Sequence, residues 1–152
     1  MRGGFADGQM VQDGVCSRRQ TVARMDRLKP FGLVYLATPY TKYPMGHEIA
    51  FRHAAKLAAK LVAEKINVYS PIAHTHPIAI HGGLDNTDYH SWISFDKAMM
   101  NKADTIVVGM MPSWEQSYGI SYEVGYFRAQ QKPVFYLDPD TLELTDAPVS
   151  QD

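Results

Sequence analysis

Four short apolar runs, separated by stretches of helical period, constrain this chain most. Gly32 to Thr38 reads as a buried strand leading into Pro39 and Tyr40. From His47 to Lys65, apolar positions such as Ile49, Ala54, Leu57, Ala58 and Leu61 recur at helical spacing. Arg52, Lys56, Lys60 and Glu64 fall mostly on the other face. After Asn67 a second strand is expected over Val68 to Ile72. A helix over Ser91 to Lys102 puts Trp92, Phe95, Met99 and Met100 on one side. A strand over Thr105 to Met111, a helix over Ser121 to Gln131 and a strand over Val134 to Leu137 complete the series. Strands that are apolar on both faces and alternate with helices need a helical layer on each side. The expected fold is therefore α/β: a single, doubly wound, Rossmann-like or flavodoxin-like domain with a parallel sheet. Right-handed crossovers then gather the carboxyl ends of the strands at one edge, where such sheets bind ligands.

Composition excludes several functional classes. The 152 residues are 45% hydrophobic and 20% charged, enough apolar material for one core. Fifteen Lys and Arg against sixteen Asp and Glu leave no basic excess for a nucleic-acid backbone. Apolar runs such as Thr105 to Met111 are far shorter than the roughly 20 residues of a membrane span. Gly3, Asp7, Gln9, Gln12 and Asp13 interrupt any signal core, and Cys16 is the single cysteine. A cytoplasmic protein is expected, with a flexible extension over 1–30, a folded domain over 31–145 and a tail over 146–152. A short helix near Thr21 to Leu28 is expected within that extension. The segment Ala73 to His90 reads as an unusually long loop, and loops of that length inside compact domains are commonly functional.

At the ligand edge the topology gathers Thr38, Pro39 and Tyr40 after the first strand and His74 and His76 after the second. Trp92 and Asp96 come from a helix, and Trp114, Ser117, Gly119 and Glu123 follow the third strand. Glu123 is expected in the first turn of its helix, either as an acid favoured by the dipole or as a nucleophile held ionised by nearby donors. Asp96 is either a solvent-facing acid or a site acid beside an aromatic face. Asp104 reads as structural. Two His at i and i+2, with no acid or Cys at metal spacing, favour hydrogen bonding or phosphate contact, so no metal is expected. The absence of Gly-x-Gly-x-x-Gly and Gly-Lys-Ser/Thr loops argues against dinucleotide and P-loop cofactors, and no cofactor is expected.

Three segments carry a family resemblance: Tyr35-Leu36-Ala37-Thr38-Pro39-Tyr40, Asp96 eight residues before Asp104, and Ser117-x-Gly119-x-x-x-Glu123. Together they resemble the nucleoside 2-deoxyribosyltransferase superfamily, and within it the DUF1937 branch. The resemblance spans about Leu33 to Leu137 and implies N-glycosidic bond chemistry. It implies that Glu123 attacks the anomeric carbon, that Asp96 contacts and protonates the departing base, and that Tyr35 orients Glu123. Six residues before the nucleophile the transferases proper carry an Asp for the sugar 5′-hydroxyl. Here that position is Ser117, similar to the nucleoside 5′-monophosphate N-hydrolases of the superfamily, where a Ser binds the 5′-phosphate. The resemblance thus implies cleavage of a (deoxy)nucleoside 5′-monophosphate, with Ser117 and Gly119 gripping phosphate and His74 or His76 assisting. Trp92 is expected to surround Asp96, and Trp114 to form either the pocket wall or a loop anchor. Base exchange between nucleosides and non-catalytic nucleotide binding are the alternatives. Related enzymes complete their pockets across subunits, which implies a homo-oligomer.

Overall fold

The computed structural model describes residues 25–148. Five strands form one sheet in the order β2-β1-β3-β4-β5, where β1 is Val34–Ala37, β2 Val68–Tyr69, β3 Thr105–Gly109, β4 Val134–Leu137 and β5 Leu144–Thr145. The first four are mutually parallel, and β5 runs antiparallel to β4. Among the described residues four α-helices accompany them: α1 His47–Ala63, α2 Pro71–Gly82, α3 Tyr89–Lys102 and α4 Tyr118–Ala129. This is the expected α/β architecture.

The strand pleat sorts the core into two halves. Leu36, Val107 and Leu137 face one way and pack with Leu57 and Leu61 of α1. Tyr35, Ala37, Ile106, Val108 and Tyr136 face the other way and pack with Met100 of α3 and Ile120, Val124 and Phe127 of α4. Successive residues on opposite faces, both covered, explain why these strands read as unbroken apolar runs. At the sheet's trailing edge Asp104 Oδ2 accepts from the Leu33 amide at 3.1 Å, so Asp104 closes the helix-to-strand turn as expected.

Several boundaries differ from the sequence reading. Residues 73–90 are not a loop, because most of that stretch is α2. Ser70 caps this helix by accepting from the Ala73 amide at 3.3 Å, and Pro71 occupies its first turn. Gly83, at φ 69, ends it in the left-handed conformation that glycine favours. The second strand accordingly stops at Tyr69 rather than Ile72. Helix α4 starts at Tyr118, three residues before the expected Ser121, because Ser117 takes the capping position. Within the extension expected through Pro30, Met25 and Leu28 are buried in the first core half, so its described part belongs to the fold. Arg27 also donates to Asp146 at 2.8 Å, tying the first described segment to the last. The rest of the expected extension, including the first half of the Thr21 to Leu28 helix and Cys16, lies outside the described residues, as does most of the tail. No described helix is long and apolar enough to cross a membrane.

Candidate active site

The cleft opens at the carboxyl ends of β1 and β3, where chain direction through the sheet reverses. Open α/β sheets bind ligands at this point. It encloses about 320 Å³. Thr38, Pro39 and Tyr40 enter from the loop after β1, Trp92 and Asp96 from α3, and Ser117, Gly119 and Glu123 from the start of α4. Eight residues chosen from three distant stretches of sequence therefore meet on one lining. At Gly109, the last residue of β3, a Cβ would sit 2.8 Å from Leu57 Cδ2 and 3.1 Å from Thr38 Cγ2, so those side chains would have to shift to admit one.

Glu123 lies in the second turn of α4, not the first, because the helix begins at Tyr118. The dipole contribution expected at a helix mouth is correspondingly weaker. Burial dominates instead and raises the Glu123 carboxyl from 4.5 to about 8; the Asp96 charge adds to the rise and Tyr35 opposes it. The expectation that the helix start keeps Glu123 ionised is thus corrected for the ligand-free protein. Asp96 is raised to about 6, again by burial. Trp92, Ile93, Asp96 and Met100 share one face of α3 and line the cleft together, so Asp96 faces the cleft.

Behind the two acids stand two phenols. Tyr35 and Tyr69 are paired residue to residue on β1 and β2, with ring centroids 5.7 Å apart. Burial and the nearby Glu123 and Asp96 charges raise both hydroxyls. Tyr35 Oη, Tyr69 Oη, Thr38 Oγ1, Asp96 Oδ1 and Glu123 Oε2 are all shielded from solvent without a hydrogen-bond partner. Tyr35 and Glu123 lie close enough to perturb one another's ionisation, yet their contact falls short of a well-formed hydrogen bond. An orphaned buried polar atom costs about 1–3 kcal/mol, and five around one spot mark a place built for something other than stability.

Ser117 and Gly119 sit together at the start of α4. Ser117 Oγ accepts from the Ile120 amide at 3.2 Å, leaving its own proton free to donate outward. A Cβ on Gly119 would lie 3.6 Å from Glu123 Oε1 and 3.8 Å from Ser117 Oγ, so that carboxyl and hydroxyl flank the glycine together. Lys42 is the cationic side chain on the described lining, and its carbonyl accepts from Ser113 Oγ at 3.2 Å. That bond joins the loops after β1 and β3, with Ser113 itself at φ 65.

Three expected residues lie elsewhere. His74 is exposed and stacks on Phe95 with centroids 4.9 Å apart, away from the cleft. His76, 3% exposed, sits behind Tyr40 rather than on the lining. Both are misplaced by the loop reading, because helix α2 turns their side chains away from the edge. Trp114 packs against Tyr136 at 5.7 Å and anchors its loop to the second core half. Among the described residues, no three His, Cys, Asp or Glu side chains gather as a metal would need. Sequence reasoning missed Lys42, Asn86, Thr87 and Tyr69. Tyr69 had a legible signal, since Val34-Tyr35 and Val68-Tyr69 open neighbouring strands with the same dipeptide.

No curated protein matches this chain. A family profile described as "Domain of unknown function (DUF1937)" matches residues 32–138, which include the sheet through β4, all four described helices and every residue of the cleft lining. The chain belongs to the DUF1937 family.

Proposed function

We propose that this protein cleaves the N-glycosidic bond of a (deoxy)nucleoside 5′-monophosphate, with Glu123 as nucleophile and Asp96 as acid/base. The observation that carries the reading is that both carboxyl groups present a buried, unpartnered oxygen beside the same cleft. Cleavage through an oxocarbenium-like state requires one carboxylate at the sugar carbon and one acid for the departing base. Between about pH 6 and 8 the pair holds one proton to share. In the free protein that proton favours Glu123. Positive charge developing at C1′ favours the Glu123 carboxylate and leaves Asp96 as the donor.

Glu123 Oε then bonds to C1′ as the C1′–N bond breaks, and the base departs with the electron pair and the Asp96 proton. Asp96, now a carboxylate, takes a proton from water as that water attacks C1′ and releases Glu123. Tyr35 orients Glu123, and Ser117, Gly119 and Lys42 receive the phosphate. Trp92 supplies an apolar, aromatic wall for the base. A small nucleotide as partner, a homo-oligomeric assembly and a cytoplasmic location go with this reading.

The test is chromatography of free base after incubation with a panel of nucleosides and monophosphates. Release from monophosphates in buffer is expected, with a bell-shaped pH profile whose limbs fall near 6 and 8. Below the lower limb no carboxylate remains to attack, and above the upper limb no acid remains to protonate the base. New nucleoside formed only when a second base is added would replace hydrolysis with exchange. Nucleotide binding without base release would replace catalysis with binding alone.

A further inference from the structure

Tyr40 is a lining residue whose hydroxyl is held by a relay the reaction does not use. Its Oη lies 2.7 Å from His76 Nδ1, and His76 Nε2 lies 2.9 Å from Glu48 Oε2. Arg52 donates to the other Glu48 oxygen at 2.9 Å. His76 and Arg52 hold Glu48 below the usual carboxylate range, so Glu48 only accepts. His76 must therefore donate from Nε2. In the neutral ring this leaves Nδ1 as acceptor, and Tyr40 Oη donates to it. Asn86 Nδ2 donates to Tyr40 Oη at 2.8 Å. A flipped Asn86 amide would set its carbonyl against a hydroxyl whose proton is already committed, so the relay also orients Asn86.

The chemical outcome is a wall of one polarity. The Tyr40 proton is committed, one of its lone pairs is taken, and the other remains. Asn86, also on the lining, has its amide nitrogen turned to Tyr40 and its carbonyl oxygen left to accept. The same loop carries Asp85, whose carbonyl accepts from Trp92 Nε1 at 3.1 Å, so this wall adjoins the aromatic surface beside Asp96. In the reading proposed above, that is the base end of the cleft.

We propose that Tyr40 and Asn86 read the nucleobase, that the His76–Glu48 pair fixes Tyr40 as an acceptor, and that the cleft prefers bases bearing an exocyclic amino group. An amino group offers two N–H donors to two acceptors, whereas an oxo group at the same position meets lone pairs with lone pairs. A site with buried acceptors rejects the analogue that cannot donate. The proposal rests on the nucleotide-cleaving reading but is separable from it.

The experiment is calorimetric binding, to the Glu123→Gln protein, of adenosine against inosine 5′-monophosphate and of cytidine against uridine 5′-monophosphate. A preference for the amino member of at least about tenfold is expected. Tyr40→Phe and Asn86→Ala should each reduce it to about threefold or less. Glu48→Ala is the discriminating variant, because its side chain is 55% exposed and lies off the cleft. Freeing the His76 tautomer lets Tyr40 turn its proton towards the ligand, so the preference should fall although no ligand contact is lost. Nucleotides that bind with equal affinity for amino and oxo members overturn this inference and leave the cleavage reading standing. An amino preference unchanged by all three variants also overturns it. Failure of every nucleotide both to bind this variant and to be cleaved by the wild-type protein overturns both.

Discussion

Two clusters of polar groups at the cleft handle buried polarity in opposite ways. Around Glu123 and Asp96, five polar atoms are sealed from solvent and left without partners. Around Tyr40, the hydroxyl, both His76 ring nitrogens and both Glu48 oxygens are engaged. A fully satisfied network rigidifies its surroundings, while an unsatisfied one is held in place by the rest of the fold at a cost in stability. The contrast teaches that contacts within the protein are a poor guide to where chemistry happens. In the proposed reading, the reactive groups are those the fold does not complete.

The sharpest way to break this comparison is to remove the charge from the unsatisfied cluster. Glu123→Gln should reduce base release by at least about 10³-fold while keeping the fold. Stability should move the other way. Folding raises the Glu123 carboxyl from 4.5 to about 8, so the protonated form is favoured in the native state. That contribution is complete below about pH 4.5 and is lost as pH rises towards 8. The wild-type melting temperature should therefore decline across this window, and Glu123→Gln should flatten the decline. A slope unchanged by the substitution would remove the buried carboxyl from the account.

In the satisfied cluster the expected sign reverses. His76→Ala should cost on the order of 2–3 kcal/mol in denaturant unfolding, because it opens a cavity and strips partners from Tyr40 and Glu48. A neutral result would mean the relay contributes nothing to the fold. A smaller effect is expected at the start of α4. Asp also caps helices, so Ser117→Asp preserves the helix but repels phosphate. Monophosphates should lose about tenfold or more in kcat/KM relative to nucleosides, and equal losses would place the phosphate elsewhere. The smallest effect belongs to His74. Since it stacks on Phe95 outside the lining, His74→Ala should change kcat/KM by no more than about twofold. A large loss would bring it back to the substrate.

How much of this was legible depended on the kind of signal. Strands β1, β3 and β4 showed as apolar runs because both faces are covered, and α1 showed through Ala54, Leu57 and Leu61 at helical spacing. Helix α2 did not show. Its Pro77 argues against a helix by propensity, and its exposed Ile78 and Ile80 blur the period. The Ser70-Pro71 pair was the available start signal. Strand β5 was also missed, since two residues carry no period at all. It depends on the turn where Asp138 Oδ1 accepts from the amides of Asp140 and Thr141. At the site, Glu123, Asp96 and Ser117 were reachable because motif spacing and topology pointed to the same edge. His74 and His76 were misplaced because their positions depended on a loop that is helical. The Asn86 contact was invisible, since no local pattern links a residue in one connection to a tyrosine in another.

The pairing of Tyr35 with Tyr69 carries one more consequence. Neighbouring strands are held about 4.8 Å apart by the hydrogen-bond ladder, and a slip of one residue would turn a strand's side chains to the opposite face. The backbone therefore acts as a ruler for the two phenols, whatever the surrounding loops do. Those loops are free to diversify in length and sequence, exchanging one ligand for another, without recalibrating the spacing on which the acids depend.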